Sequence, residues 1–214
     1  MKLYYHPLSS YSQKVVMAFH EKGLAFEPSI VSMMDPVGKA EYKKVNPLGK
    51  LPLLIDDKKD NRVIPESSII IEYIDRHYAG GTKLIPDDPD LARQVRFKDR
   101  MMDNYVNDPM AKIFFDGMLP EGQRDANGVA KAKETLDTIF AIVDKDLEGK
   151  TWALGDTFSM ADCAAAPALG YCSMIHPFPQ HKNLTAYVNR LRERPSFAKC
   201  LKEAEPHMAA FAKK

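Results

Sequence analysis

A serine-rich segment near the N-terminus, PLSSYSQKVV at residues 7–16, has the composition of a helix start that can bind an anion. Ser10 and Gln13 have the S-x-x-Q spacing of a capping box, in which each side chain satisfies a free amide of the first turn. We therefore expect Ser10 to cap the helix and Ser9 to precede the cap. Free N–H groups and the positive helix end make that position suitable for an anion or a thiolate. The alternative is that Ser9 is simply the cap or a loop serine.

A second serine lies at a predicted helix start in the segment IPESSII, residues 64–70. The Ser67 hydroxyl and the nearby amides suit a carboxylate, and Glu66 suits an ammonium group. Because an α-amino acid carries both groups on one carbon, this pair predicts a site for an amino-acid head. Ordinary helix capping is the alternative.

A proline in a predicted strand is the third unusual feature. Pro52 follows Leu51 in KLPLLI, and proline cannot donate a hydrogen bond to a neighbouring strand. A cis Leu51–Pro52 bond would turn the backbone of Leu51 outward to pair with a peptide-like ligand. We therefore expect this bond to be cis.

Strand and helix signals alternate over the first 80 residues in the order β-α-β-α-β-β-α. A strand–helix–strand opening, followed by a hairpin and a closing helix, predicts a small α/β domain with a mixed four-stranded sheet. A short helix is expected in KAEYKKVN. The other elements are strands at 2–5, 25–31, 50–55 and 62–64 and helices at 11–22 and 66–79.

Beyond a Gly-, Pro- and Asp-rich linker, the remaining sequence reads as helical. We divide the chain into residues 1–80, a linker at 81–90 and an all-helical domain at 91–214. Pro109 is expected to kink or break the first long helix of that domain. Ser159 and Asp162 have the spacing of a second capping box, which we interpret as structural.

Composition excludes several kinds of function. The chain is 45% hydrophobic and 28% charged with a net charge of +1, which argues against general nucleic-acid or membrane-surface binding. No signal sequence or membrane span is evident, and three cysteines without a pairing pattern fit a reducing cytoplasm. The six histidines are scattered without metal-ligand spacing, so no metal is expected.

Four stretches in this order resemble cytosolic glutathione S-transferases of the bacterial type with a serine-type active site. They are HPLSSYSQKV, NPLGKLPLL, PESSIIIEYI and GDTFSMADCAAAP, and the resemblance covers essentially the whole chain. It implies a thioredoxin-like N-terminal domain, an all-helical C-terminal domain and a homodimer. It also implies a cytoplasmic detoxifying enzyme that joins glutathione, its co-substrate, to small hydrophobic electrophiles.

The resemblance implies roles for individual residues. Ser9 would donate a hydrogen bond to the glutathione thiolate, with Tyr5 and Ser10 as alternative donors; Tyr5 otherwise reads as a sheet-face core residue. The residues expected to bind the tripeptide are Lys39, Lys50, Leu51, Pro52, Glu66 and Ser67. An apolar pocket between the domains would hold the electrophile, although its residues also suit a helix core. Its expected walls are Met101, Met102, Tyr105, Phe114 and Tyr171.

Two other functions remain open. One is a non-catalytic glutathione-binding or interaction protein on the same fold, and the other is a glutathione-dependent peroxidase or oxidoreductase. The lack of a cysteine at the first helix start argues against dithiol chemistry. Tyr11, in place of the cysteine of an SSCS motif, argues against a zeta-like isomerase, and the class stays unassigned.

Overall fold

The chain divides into two compact units. The computed structural model describes residues 1–32 and 35–211. The first unit comprises Met1–Leu84 together with the C-terminal helix, and the second comprises Ile85–Arg194. The boundary falls inside the linker expected at 81–90. The C-terminal helix, which the sequence placed with the helical half, groups with the first unit.

The first unit contains the expected mixed four-stranded sheet. Its strands are β1 (Lys2–Tyr5), β2 (Glu27–Ile30), β3 (Leu53–Asp56) and β4 (Arg62–Pro65). Strand β1 is parallel to β2 on one side and antiparallel to β3 on the other, and β4 pairs antiparallel with β3. The parallel pair requires a crossover helix, whereas β3 and β4 are joined by a short hairpin.

Three helices alternate with these strands along the chain. Helix α1 (Ser10–Lys22) follows β1, α2 (Pro36–Val45) follows β2, and α3 (Ser67–His77) follows β4. Helix α1 buries one apolar face, since Val15, Ala18 and Phe19 are fully buried. It ends at Gly23, whose φ of 65° is the left-handed conformation that favours glycine after a helix.

The second unit is helical. Its helices are α4 (Pro89–Met101), α5 (Asp108–Gly117), α6 (Ala126–Asp146), α7 (Met160–Ile175) and α8 (Lys182–Glu193). Helix α7 is buried over its first ten residues. It begins with the expected capping box, in which the Ser159 amide donates to the Asp162 carboxylate at 2.8 Å. In the described part of the chain, no helix combines the length and apolar character that a membrane span requires.

The break expected at Pro109 takes the form of a π-helical turn, Met102–Asn107, between α4 and α5. Pro109 has no N–H, and in a regular α-helix its ring would clash with the carbonyl of Tyr105. The wider π turn, which begins before the proline, accommodates this residue without ending the helical path.

The C-terminal helix α9 (Pro195–Phe211) packs against α1. Its residues Phe197, Cys200 and Ala204 are at most 2% exposed, and the Ser196 hydroxyl donates to the Glu21 carboxylate at 2.5 Å. An amphipathic sequence pattern shows that a helix buries one face but not which element covers it. The assignment of α9 to the helical half therefore had no firm basis in the sequence.

A buried ion pair joins α1 to α3. The ammonium of Lys22 lies 3.1 Å from the carboxylate of Asp75, and both side chains are 4% exposed. The same carboxylate oxygen accepts the N–H of Leu84 at 3.0 Å. The pair therefore links two helices and the end of the N-terminal segment.

We expect Lys22→Met to lower the free energy of unfolding by about 3–5 kcal/mol, because it leaves a buried carboxylate without that ammonium. The exposed pair Lys44–Glu41 offers a matched control, and Lys44→Met should cost less than about 1 kcal/mol. Urea unfolding followed by circular dichroism measures both. The double variant Lys22→Met/Asp75→Asn removes both charges, keeps an acceptor for the N–H of Leu84 and should recover much of the loss. Equal losses from the two single variants would contradict the prediction.

Candidate functional site

Helix α1 is capped by Ser9, not by Ser10 as the sequence predicted. Ser9 has an extended backbone (φ −79°, ψ 120°), and its hydroxyl oxygen accepts the N–H of Ser12 at 3.2 Å. Ser10 is the first helical residue. The side-chain amide of Gln13 donates to the carbonyl of Pro7 at 2.7 Å and so holds the incoming loop. The predicted cap was therefore one residue too late, because Gln13 serves the loop.

After capping the helix, the Ser9 hydroxyl can still donate a hydrogen bond. A hydroxyl has one proton and two lone pairs, and the Ser12 amide occupies one lone pair. The Ser9 side chain is half-buried, and the positive end of the α1 dipole lies at the same point. The position can therefore donate a hydrogen bond to a thiolate or another anion.

His6 fixes the loop ahead of Ser9, a role that the sequence analysis missed. Its N–H donates to the hydroxyl of Ser12 at 3.3 Å, its Nδ1 accepts the N–H of Leu8 at 3.1 Å, and its carbonyl accepts the N–H of Ser9 at 2.9 Å. Burial, and to a smaller extent His207, lowers the pKa of His6. The ring is therefore neutral near pH 7, and Nδ1 can accept. In the sequence, the position of His6 directly before the serine-rich segment was the one sign of this role.

Tyr5, the alternative donor, is engaged elsewhere. Its side chain is 2% exposed, and its hydroxyl donates to the carboxylate of Glu203 on α9. Burial and the bond to Glu203 raise the pKa of Tyr5 well above its usual value. A hydroxyl that already donates to a carboxylate has no second proton for a thiolate. This geometry favours Ser9.

The start of α3 forms the second part of the site. Glu66 precedes the helix with φ 70° and ψ 125°, and its side chain makes no capping bond. A residue other than glycine rarely adopts a positive φ, and such strain clusters at ligand sites. Ser67 is 4% exposed, and no hydrogen bond joins its hydroxyl to another of the described residues. Its hydroxyl and the first amides of α3 can therefore receive a carboxylate.

The two helix starts lie at the same end of the helix pair. Lys14 on α1 contacts Ser68 on α3, and two turns further along Lys22 contacts Asp75. Because both contacts advance in the same direction, α1 and α3 run parallel, and their positive ends share one edge of the first unit. Two anionic groups of a single ligand can therefore be held there. No pattern in the sequence indicated this parallel packing.

The backbone of Leu51 lies beside the sheet but outside its pairing. The Leu51–Pro52 peptide bond is cis, as expected. The pairing of β3 with both neighbours begins at Leu53. The N–H and C=O groups of Leu51 are therefore not part of the strand ladders.

The two lysines expected at the site are exposed. Lys39 lies in the first turn of α2. The backbone of Lys50 is fixed, because its carbonyl accepts the hydroxyl of Tyr42 at 2.6 Å and the side-chain amide of Asn46 at 2.9 Å. Its side chain extends into solvent from a fixed point. In the described residues no group of His, Cys, Asp or Glu side chains is arranged to hold a metal ion.

The five expected pocket residues lie at several points of the second unit. Met101 and Tyr105 line a groove of about 650 Å³ between the α4–π-turn segment and α6. Met102 is 5% exposed and lies in the core. Phe114 is exposed on α5, and Tyr171 is half-buried on α7.

Known protein families match both units. The glutathione S-transferase N-terminal domain matches residues 3–82, and the glutathione S-transferase C-terminal domain matches residues 106–195. Glutathione S-transferase A of Pleuronectes platessa is 31% identical over 194 residues, which are 86% of this chain and 83% of that protein. The chain belongs to the glutathione S-transferase family.

Two further similarities extend over nearly the whole transferase. Glutathione S-transferase hmp2 of Hypomyces subiculosus is 29% identical over 95% of this chain and 99% of its own. The crystal structure of a glutathione S-transferase from Methylobacillus flagellatus KT with glutathione bound has a TM-score of 0.83. It is 30% identical and covers 93% of this chain and 98% of that one. The first unit is therefore the thioredoxin-like domain, and the chain is a glutathione transferase.

The cysteine thiols of this transferase are buried. All three cysteines, Cys163, Cys172 and Cys200, are buried and free of disulfides. Burial raises the pKa of Cys172 to about 12, and burial with the charge of Glu203 does the same for Cys200. Because the thiolate is the reactive form, Cys172 and Cys200 are poor nucleophiles near pH 7.

We expect Tyr5→Phe to keep turnover within about twofold of the unmodified enzyme, since a donor to a reacting thiolate is worth a factor of ten or more in rate. Initial rates with glutathione and a hydrophobic electrophile at saturating concentrations measure the effect. The variant also removes the partner of Glu203, so thermal unfolding should show a loss of about 1 kcal/mol. A tenfold fall in turnover in the folded variant would assign the thiolate to Tyr5.

Proposed function

We propose that the protein binds glutathione as a thiolate held by the Ser9 hydroxyl and transfers it to small hydrophobic electrophiles. The family supports a glutathione transferase function. The observation that carries the finer proposal is the Ser9 hydroxyl, which caps α1 with its oxygen and keeps its proton for an outside acceptor. Sulfur attacks the electrophilic carbon, an S–C bond forms, and either a leaving group departs or the product takes a proton from water.

The available interactions are strong enough to form the thiolate. A free thiol has a pKa near 8.5, and lowering it by about two units takes roughly 2.7 kcal/mol of preferential stabilisation of the anion. One hydrogen bond to a charged acceptor contributes about 1.5–3 kcal/mol. The positive end of a helix adds about 0.3–1 kcal/mol. Ser9 and the start of α1 together therefore suffice, and no general base is required.

The rest of the tripeptide would bind at the same edge of the first unit, near the start of α3. The carboxylate of the γ-glutamyl unit would meet Ser67 and the first amides of α3, and its ammonium would meet Glu66. The cysteinyl unit would pair with the unused backbone of Leu51, beside Pro52. The exposed side chains of Lys39 and Lys50 are suited to the glycine carboxylate.

The electrophile would contact apolar side chains of the second unit. Among the five expected residues, Tyr105 is 52% exposed and Phe114 is 37% exposed, so these two offer the most surface. Aromatic faces suit flat apolar electrophiles. A detoxifying role in a reducing cytoplasm belongs to the same proposal, since three unpaired cysteines fit that compartment.

We expect Ser9→Ala to lower turnover at pH 7 by tenfold or more while glutathione still binds. In the unmodified enzyme kcat/KM should rise with pH through the pKa of the bound thiol and then level off, because the thiolate reacts. Loss of the donor raises that pKa, so the rise should move toward about 8.5. The ultraviolet absorbance of the bound thiolate, titrated against pH, measures the shift directly.

Ser10→Ala is the matched control for this experiment, because Ser10 is the neighbouring hydroxyl and makes no cap. It should leave the pH profile unchanged. Loss of the Ser9 cap also costs stability of about 1 kcal/mol, so folding is checked by circular dichroism. An unmodified protein that is retained on glutathione resin but transfers no thiol would favour the non-catalytic alternative. A shifted profile for Ser10→Ala would reassign the donor.

The proposed active form is a homodimer, and the second unit offers a surface for it. The groove between the α4–π-turn segment and α6 has exposed apolar walls, with Phe97 60% and Ile142 51% exposed. Apolar surfaces of this kind, rimmed by charged residues, are typical of protein–protein contacts. Lys98, Glu134 and Asp146 supply such a charged rim.

We expect Phe97→Asp to convert a dimer into a monomer, because it puts a charge on the apolar wall of the groove. Size-exclusion chromatography with light scattering measures the mass. Phe115→Asp is the matched control, since Phe115 is 61% exposed but lies on α5 outside the groove lining. An unmodified protein that is monomeric, or a Phe97 variant that remains dimeric, would contradict this assignment.

A further inference from the structure

Three hydrogen bonds join His6, Ser9 and Ser12 in a closed cycle at the start of α1. The N–H of Ser9 donates to the carbonyl of His6 at 2.9 Å, and the N–H of Ser12 donates to the hydroxyl of Ser9 at 3.2 Å. The N–H of His6 donates to the hydroxyl of Ser12 at 3.3 Å, and Ser12 is fully buried. The position of the Ser9 hydroxyl therefore depends on the conformation of the loop that begins at His6.

The imidazole of His6 stabilises this loop. Its Nδ1 accepts the N–H of Leu8, two residues later, at 3.1 Å, which is the pattern of an Asx turn with an imidazole in place of a carboxamide. A backbone N–H can only donate, so Nδ1 must be unprotonated and the ring proton must lie on Nε2. If Nδ1 gains a proton, two donors face each other and the hydrogen bond to Leu8 is lost.

The surroundings of the ring oppose its protonation. His6 is half-buried, and the ring of His207 on α9 lies edge-on to it with centroids 5.3 Å apart. Glu203, one turn earlier on α9, accepts the hydroxyl of Tyr5, and α1 contributes the neutral hydroxyl of Ser12. Burial, and to a smaller extent His207, lowers the pKa of His6 below its usual value of about 6.5. The ring therefore becomes charged only in acid.

We propose that His6 is a positioning residue that makes the thiolate site sensitive to pH. The neutral ring holds the loop so that the Ser9 hydroxyl is placed for the thiolate, and a proton on Nδ1 releases the loop. This inference rests on the proposed function, because the donor that His6 positions is Ser9. His6 does not itself touch the reacting sulfur. In acid, its protonation adds to the loss of activity that comes from protonation of the bound thiol.

His6→Asn separates these two effects. The asparagine oxygen can accept the N–H of Leu8 in an ordinary Asx turn, and asparagine does not titrate. Both enzymes share the ionisation of the bound thiol, so the ratio of kcat/KM of the unmodified enzyme to that of His6→Asn isolates His6. We expect this ratio to be constant from about pH 7 to 9 and to fall about tenfold toward pH 5, the factor that corresponds to about 1.4 kcal/mol.

Two further variants complete the comparison. His20→Gln is the matched control, because His20 is a half-buried histidine on α1 whose pKa is also lowered by burial; its charged neighbours are Lys199, Glu203 and Glu21. It should follow the unmodified enzyme at every pH. His6→Ala removes the acceptor and should lower kcat/KM about tenfold at pH 8 as well, and His6→Asn should restore it to within about threefold.

Long-range ¹H–¹⁵N NMR of the unmodified enzyme measures the ring directly. The signals of His6 are those absent from the spectrum of His6→Asn. They should show the Nε2–H tautomer at pH 7 and a pKa below about 6.5 that matches the midpoint of the fall in the ratio. Circular dichroism over the same pH range establishes that the compared enzymes are folded. If His6→Asn does not fold, His6→Ser takes its place, since a serine hydroxyl can form the same turn.

The outcomes separate this inference from the proposed function. A constant ratio down to pH 5, an Nδ1–H tautomer, or a His6→Asn variant no more active than His6→Ala would overturn the inference and leave the role of Ser9 standing. Undiminished turnover of Ser9→Ala would instead overturn the proposed function. This inference would fall with it, because the positioned donor would not be the one that acts.

Discussion

The hydrogen bond from the amide of Ser12 to the oxygen of Ser9 sets the geometry on which the proposed chemistry depends. It ends the loop, starts α1 and fixes the hydroxyl at the positive end of the helix. It also leaves the hydroxyl proton as the group that can be given to a ligand. Helix formation and the proposed anion binding would therefore depend on one side chain. Because the acceptor is already occupied by the backbone, little reorganisation is needed when a thiolate arrives.

The choice between the two candidate donors depends on the C-terminal helix. Tyr5 lies on the neighbouring strand and has a hydroxyl of its own, but Glu203 of α9 accepts its proton. The same carboxylate and burial keep the pKa of Tyr5 high, so the ring stays neutral. Because Glu203, almost two hundred positions later in the chain, accepts the proton of Tyr5, Ser9 is the candidate that can still donate. Local sequence around β1 and α1 contains no information on this contact.

Parallel packing of α1 and α3 gives the site its two-part character. The contacts of Lys14 with Ser68 and of Lys22 with Asp75 hold the helices side by side with their starts at one edge. One positive helix end suits the sulfur anion, and the other suits a carboxylate.

The sequence alone determined the mixed sheet, the cis bond at Leu51–Pro52 and the capping box at Ser159, because these features depend on residues close together in the chain. It located the serine-rich helix start but placed the cap on Ser10, since the spacing could not show that Gln13 binds the loop. Only the tertiary structure decided that α9 joins the first unit, that Tyr5 meets Glu203 and that Lys14 reaches α3. Those contacts join residues far apart in the chain, and periodicity and capping rules describe only near neighbours.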